Sequence, residues 1–227
     1  MTGRFIVVEG ADGTGKSTQA RLLAERLGAV FTREPGGTPL GERIRDLVLD
    51  PEGDAPVDRA EALLMAAARA QHVAQVVAPA LAAGQDVVSD RYVASSVAYQ
   101  GHGRGLGAEA VAEVNRFATR DLAPDLVVLI EVDTPLAGDR LGGDLDRIEQ
   151  AGNDLQAAVV AAYREMAGAD PDRWVVVDGT GPIEEVADRV ATAVDQRLSC
   201  PPERQPTARR PWTRTRYGTP WWARRLP

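Results

Sequence analysis

The pattern of apolar runs predicts an α/β domain: a five-stranded parallel sheet with helices on both faces. Three observations carry this reading. Five short apolar runs fall at 5–8, 29–32, 86–89, 125–132 and 174–177, stretches of helical spacing separate them, and a glycine-rich turn follows the first run. Strands that alternate with helices pair in parallel, and a parallel sheet needs both faces covered.

Each element has its own warrant. Phe5-Ile6-Val7-Val8 is an apolar run short enough for a buried strand, closing at Glu9. After the glycine turn, Ala20, Leu23, Ala24 and Leu27 recur at helical spacing, and Gly28 suits a helix C-terminus. The strand at 29–32 follows at once. Alanine-rich helix is expected over 57–83, with Pro79 placed to kink or break it. Helices are also expected at 92–100, 107–120, 146–167 and 182–198, between and after the remaining strands. The run Gly101-His102-Gly103-Arg104-Gly105-Leu106-Gly107 follows a helix rather than a strand, so it reads as a flexible connection.

Composition narrows the function. A chain of 227 residues, 44% hydrophobic and 26% charged, suits one large globular domain. A single cysteine, Cys200, excludes an internal disulfide framework, and two histidines, His72 and His102, argue against a zinc centre. No apolar run approaches the ~18 residues of a membrane span, and the start lacks a secretion signal. The expectation is a cytoplasmic protein with no membrane contact. Charge is uneven: the net −7 divides into −13 over 1–198 and +6 over 199–227. That last segment is crowded with proline and arginine and holds three of the four tryptophans. It reads as a disordered tail outside the 1–198 domain. Arginine and tryptophan together also suit contact with nucleic acid or an anionic membrane, but a plain extension is the favoured reading.

Among 26 basic residues only Lys16 is a lysine. It stands in Gly10-Ala11-Asp12-Gly13-Thr14-Gly15-Lys16-Ser17-Thr18, which fits GxxxxGK[ST] between a strand and a helix. The glycines let successive N–H groups turn inward as an anion nest, and the helix N-terminus adds partial positive charge. Lys16 then reaches the β and γ phosphates of a nucleotide, and Ser17 offers a hydroxyl to Mg²⁺. The fold class sharpens to a P-loop NTPase fold with a short lid.

Three further motifs follow in order. Thr32-Arg33-Glu34-Pro35-Gly36-Gly37 comes after the second strand, Asp90-Arg91-Tyr92-Val93-Ala94-Ser95-Ser96-Val97-Ala98-Tyr99-Gln100-Gly101 after the third, and Leu145-Asp146-Arg147-Ile148-Glu149-Gln150 after the fourth. With the P-loop, they resemble the bacterial thymidylate kinase family over about residues 4–198. The resemblance implies transfer of the γ-phosphate of ATP to dTMP, with Mg²⁺, in a homodimer. Two readings stay beside it: a kinase for another nucleoside monophosphate, and a nucleotide-binding module with little turnover.

Phosphoryl transfer between polyanions needs cations on both phosphates. Arg91 sits just past a strand end, where α/β sheets bind ligands. If 92–100 is helical, Arg91, Ser95 and Tyr99 share one face. The resemblance implies that they meet phosphate, base edge and sugar, with Gln100 also at the substrate. It further places Arg33 near the acceptor nucleotide, Arg45 near its phosphate and Arg69 at a thymine carbonyl. Asp90 would hold the Mg²⁺ shell with Ser17. Asp12 is expected to position the acceptor. Met65 stands where the family usually has a stacking phenylalanine, and a thioether is a weaker, less shaped platform. His72, on the same stripe as Met65 and Arg69, reads as a helix-surface residue.

The lid is expected at 139–149. Arg140 would stack on adenine or clamp phosphate, and Arg147 would come down on the migrating group. The lid is shorter and poorer in arginine than the common family pattern. Gly13 stands where some members place an arginine. The loop Asp178-Gly179-Thr180-Gly181-Pro182 would border the adenine ring, or serve as a plain strand-to-helix turn.

Overall fold

A computed structural model describes residues 2–140 and 145–199. The expected tail from Cys200 onward, and the middle of the expected lid at 141–144, lie outside the described residues. In chain order the elements are β1 (Phe5–Glu9), α1 (Lys16–Leu27), β2 (Val30–Arg33), α2 (Pro39–Leu49), α3 (Asp58–His72), α4 (Ala78–Ala82), β3 (Val87–Asp90) and α5 (Val93–Ser96). They continue with α6 (Ala108–Thr119), β4 (Leu126–Glu131), α7 (Thr134–Arg140), α8 (Asn153–Ala169), β5 (Trp174–Asp178) and α9 (Ile183–Ser199). All five strands are parallel, in the order β2-β3-β1-β4-β5.

The alternation of side chains along β1 and β4 splits the core in two. Ile6, Val8, Leu126, Val128 and Ile130 face α1 and α9, meeting Leu23, Val186, Val190 and Val194. Phe5 and Val7 face the other way onto Val73, Val77 and Leu81. Val127 and Leu129 join Leu155, Val159 and Tyr163 of α8. Burial on both faces is why these strands read as continuous apolar runs rather than alternating ones.

Several expectations change in detail. Pro79 does not end the helix. A π-helical turn at Val73–Val77 precedes it, and Pro79 falls in the first turn of α4, where its missing N–H costs little. The helix expected at 92–100 is a short α-helix that passes into a π-helical stretch at Val97–Gly103. That stretch absorbs the first part of the glycine run, so Gly101 is buried rather than in a flexible connection. The helix expected from 146 starts later, at Asn153, after a 3₁₀ turn at Glu149–Ala151. α7 escapes the sequence reading altogether. It packs against the P-loop so closely that a Cβ on Gly13 (φ +77°) would lie 2.1 Å from the Ala137 carbonyl oxygen.

β1, β2 and β3 deliver the P-loop, the Thr32–Gly37 stretch and the Asp90–Arg91 pair to one edge of the sheet. Ligands bind there in open α/β sheets. The core beneath is close-packed, and Ile130 is fully buried. Ile130→Ala is expected to cost about 2–5 kcal/mol of folding stability, checked by urea denaturation.

Candidate active site

The carboxyl ends of the strands border a cleft of about 360 Å³. Arg33, Arg45, Met65, Arg69, Arg91, Ser95, Tyr99 and Gln100 all line it, with Asp12, Lys16, Ser17 and Asp90. These are all the residues expected at the acceptor, together with the P-loop side chains and the acid expected at Mg²⁺.

The P-loop curls as its glycines require. Gly13 and Gly15 have φ of +77° and +84°, a region open to glycine at little cost. Gly15 caps α1, whose first residue is Lys16. Thr14 Oγ1 donates to the Ala11 carbonyl at 2.9 Å and ties the loop across itself. Ser17 and Thr18 follow on the exposed first turn of the helix.

Asp12 is the electrostatic centre. Lys16 Nζ donates to its Oδ1 at 3.3 Å, and Arg91 Nη2 forms an ion pair with the same oxygen. Tyr99 donates its hydroxyl to Oδ2 at 2.7 Å, and Gln156 Nε2 adds a bond at 3.2 Å. Burial alone would push the Asp12 carboxyl up, but the charges of Arg91 and Lys16 outweigh it and hold the group below the usual carboxylate range. Burial and the neighbouring Arg91 lower the Lys16 ammonium, while Asp12 and Asp90 work against them. Both cations thus rest on one carboxylate.

Arg91 is held from several sides. Its backbone has φ +68°, uncommon for a residue with a side chain, and its N–H donates to the Val8 carbonyl at 3.0 Å. The guanidinium donates to Ser95 Oγ at 3.1 Å, Tyr163 Oη at 3.3 Å and Tyr99 Oη at 3.2 Å, and lies 5.0 Å from the Tyr99 ring centroid. The expected stripe of Arg91, Ser95 and Tyr99 therefore exists. Ser95, however, gives its hydroxyl proton to Glu9 Oε2 at 2.7 Å rather than to the cleft. Glu9 also accepts from the backbone N–H of Tyr92 at 2.9 Å and the hydroxyl of Tyr163 at 2.9 Å. Complete burial raises the Glu9 carboxyl above its ordinary value in spite of these donors and Arg91.

Asp90 is different. Its Oδ1 is buried and, among the described residues, has no hydrogen-bond partner. An unpartnered buried carboxylate oxygen is costly, and a hard divalent cation is the ligand class that relieves it. Among the described residues no three His, Cys, Asp or Glu side chains gather as metal ligands. That donor set suits Mg²⁺, which is held by one or two carboxylates and completed by water and substrate phosphates.

At the far end, Arg69 is 3% exposed. It donates to Glu34 Oε2 at 2.6 Å, Ser96 Oγ at 2.9 Å, the Tyr92 carbonyl at 3.0 Å and Asn115 Oδ1. His72 is fully buried, not on the helix surface as expected. Its Nδ1 lies 2.7 Å from Glu34 Oε1 and its Nε2 2.6 Å from Thr32 Oγ1. The helical stripe was right, but β2 packs over the end of it. Arg33 pairs with Glu42 at 2.8 Å, and Arg45 donates to the Pro35 carbonyl at 3.1 Å. Burial, then the charge of Arg33, lowers the Arg45 guanidinium, so two like charges share the cleft mouth.

Two expected arginines stand outside the cleft lining, as do Gly10, Ala11, Gly13, Thr14, Gly15 and Thr18 of the P-loop. Arg147 donates to the carbonyls of Asp50, Gly53 and Asp54, and Arg140 to the Gly179 carbonyl at 3.2 Å. Arg140 thereby meets the Asp178–Pro182 loop. Asp146 and Glu149 cap each other: Asp146 Oδ1 accepts the Glu149 N–H and Glu149 Oε2 accepts the Asp146 N–H, both at 2.9 Å. Glu9, Glu34, Gln156 and Tyr163 were missed as members of the site. Glu9 carried the one available signal, an acid closing an apolar strand.

The family model described as thymidylate kinase matches residues 8–190. The chain is 50% identical over 205 residues to the thymidylate kinase of Leifsonia xyli subsp. xyli, covering 86% of this chain and 96% of that one. It is 41% identical over 208 residues to that of Lactobacillus helveticus, covering 87% and 98%. The crystal structure of thymidylate kinase from Ehrlichia chaffeensis superposes with a TM-score of 0.70 at 29% identity, over 86% of this chain and all of that one. The matched stretch runs from β1 into α9 and takes in every residue that lines the cleft, and by that measure the chain belongs to the thymidylate kinase family.

Proposed function

We infer that the cleft transfers the γ-phosphoryl group of ATP to the phosphate of dTMP, giving dTDP and ADP. The observation that carries this is one cleft lined by the P-loop lysine, by Arg91 and by the buried Met65, Arg69 and Gln100, in a chain of the thymidylate kinase family. Direct detection of dTDP and ADP after incubation with MgATP and dTMP tests it. Other nucleoside monophosphates run in parallel, and dTMP is expected to be preferred.

We also propose the residue roles, which the shared cleft lining supports. The P-loop amides and Lys16 hold the β and γ phosphates. Incoming phosphates take over the cations that Asp12 holds, so Lys16 and Arg91 exchange one anion for another without crossing an uncompensated state. Arg91 then bridges the acceptor phosphate and the migrating group, with Arg33 and Arg45 on the acceptor side. Ser17 and Asp90 would hold Mg²⁺, which supplies charge neutralisation on the β and γ oxygens. Tyr99 packs at the sugar, and Met65, Arg69 and Gln100 bound the base. Arg140 and Arg147 reach the phosphates only on leaving the carbonyls that now hold them.

We place the protein in the cytoplasm; no helix among the described residues is long and apolar enough to cross a membrane. We also propose a homodimer. Phe117 on α6 is 89% exposed and Leu63 on α3 is 58% exposed, and these two helices pack against each other. A second copy is the occupant that buries both. No nucleic-acid role is assigned to the tail.

Lys16→Ala removes a cation from the developing charge and is expected to lower kcat by about 10²–10³ or more, measured by coupled ADP release. Met65→Phe offers a ring face to the base. At about 0.5–1.5 kcal/mol for an aromatic pair, the KM for dTMP is expected to fall roughly twofold to tenfold, with little change in the KM for ATP. Phe117→Asp is expected to shift a dimer to the monomer mass in light scattering, and a monomeric parent protein would refute the dimer.

A further inference from the structure

Gln100 lines the cleft beside Met65 and Arg69, yet is only 2% exposed. Its Nε2 donates to Glu61 Oε1 at 2.9 Å, and no hydrogen bond is described for its Oε1. The two ends of an amide have nearly the same shape, so its hydrogen-bond partners decide which end points where. Here the partner is a carboxylate, which accepts and does not donate. Nε2 must therefore face Glu61, and the oxygen is left for the cleft.

Glu61 cannot turn away. It is 2% exposed, and Arg104 donates to it through Nη2 at 3.1 Å and Nε at 3.4 Å. Nor is Arg104 free to leave, with Asp58 3.7 Å away. The carboxylate is thus anchored behind the amide rather than beside the substrate.

Arg69 supplies the complement. A guanidinium has five N–H donors, and four of these are engaged with Glu34, Ser96, Asn115 and the Tyr92 carbonyl. One Nη2 hydrogen remains. The base end of the cleft therefore offers one acceptor, from Gln100, and one donor, from Arg69. A pyrimidine with carbonyls at C2 and C4 presents an N3–H donor flanked by acceptors and matches that polarity. Cytosine presents a bare N3 and a 4-amino group, which would set acceptor against acceptor and donor against donor.

We infer that Glu61 is a positioning residue that selects 2,4-dioxo pyrimidines over cytosine by fixing the direction of the Gln100 amide. The inference rests on the assignment of dTMP as acceptor. Glu61→Gln replaces an obligate acceptor with a group that can also donate, so the Gln100 amide becomes free to flip. Wild type and Glu61→Gln are compared by kcat/KM for dTMP and dCMP with MgATP. The variant is expected to lower the dTMP-to-dCMP ratio by at least about tenfold, while the KM for ATP stays within about twofold. An unchanged ratio would overturn the inference, as would KM values for ATP and dTMP that rise together. Should the variant fail to fold, wild type with N3-methyl-dTMP tests the same bond: the analogue, lacking the N3–H, is expected to lose at least about tenfold in kcat/KM. Equal turnover of the two would overturn the role. A wild-type protein that forms no dTDP at all refutes the activity itself, an outcome distinct from a kinase whose base preference ignores Glu61.

Discussion

The cleft depends on one carboxylate. Asp12 holds Lys16 and Arg91 on the same oxygen and takes the Tyr99 hydroxyl on the other. Without it, two cations would share a buried site with only Asp90 and Glu9 near them as counter-charge, and removing one partner of a buried ion pair is strongly destabilising. With it, the site is assembled before any phosphate arrives. The left-handed backbone at Arg91 serves the same end, turning the chain at the end of β3 so that the guanidinium points back over the P-loop. Strain of this kind persists where the surroundings over-determine it, and it gathers at functional sites.

The same device recurs outward from the phosphates. Three polar groups of the cleft each pair with an acid: Arg91 with Asp12, Arg69 with Glu34, and Gln100 with Glu61. Glu9 steadies the layer below by collecting Tyr92, Ser95 and Tyr163. Buried acids are expensive unless fully satisfied, and here they are satisfied by the groups they orient. The exception is Asp90, whose unpartnered oxygen suits a cation rather than a protein donor.

Much of this was legible in the residue order. The P-loop and the stripe of Arg91, Ser95 and Tyr99 follow from motif and spacing, and the arginines at 33, 45 and 69 from the family resemblance; these side chains line the cleft, with Asp12, Lys16 and Ser17 from the P-loop. What escaped had no local period. His72 lies on a stripe whose outward or inward direction depends on where β2 packs, so spacing alone could not decide its burial. The π-helical turns at 73–77 and 97–103 have no propensity signature, since they arise where a helix must fit a fixed neighbour. α7 was hidden because its seven residues are too few to show helical periodicity.

The sequence by itself determined the class of chemistry: glycines at 10, 13 and 15 permit a curled, N–H-lined loop between a strand and a helix, and a lone lysine at its end completes the P-loop motif. It also determined the sheet, because runs of β-branched residues between helical segments have few other ways to be buried. The tertiary structure alone decided the pairings. Arg91 meets Asp12 across 79 residues of chain, Arg69 meets Glu34 across 35, and Gln100 meets Glu61 across 39. Such partners are set by strand register and helix packing, which place distant side chains within 3 Å or so of one another. No spacing rule along the chain carries that information.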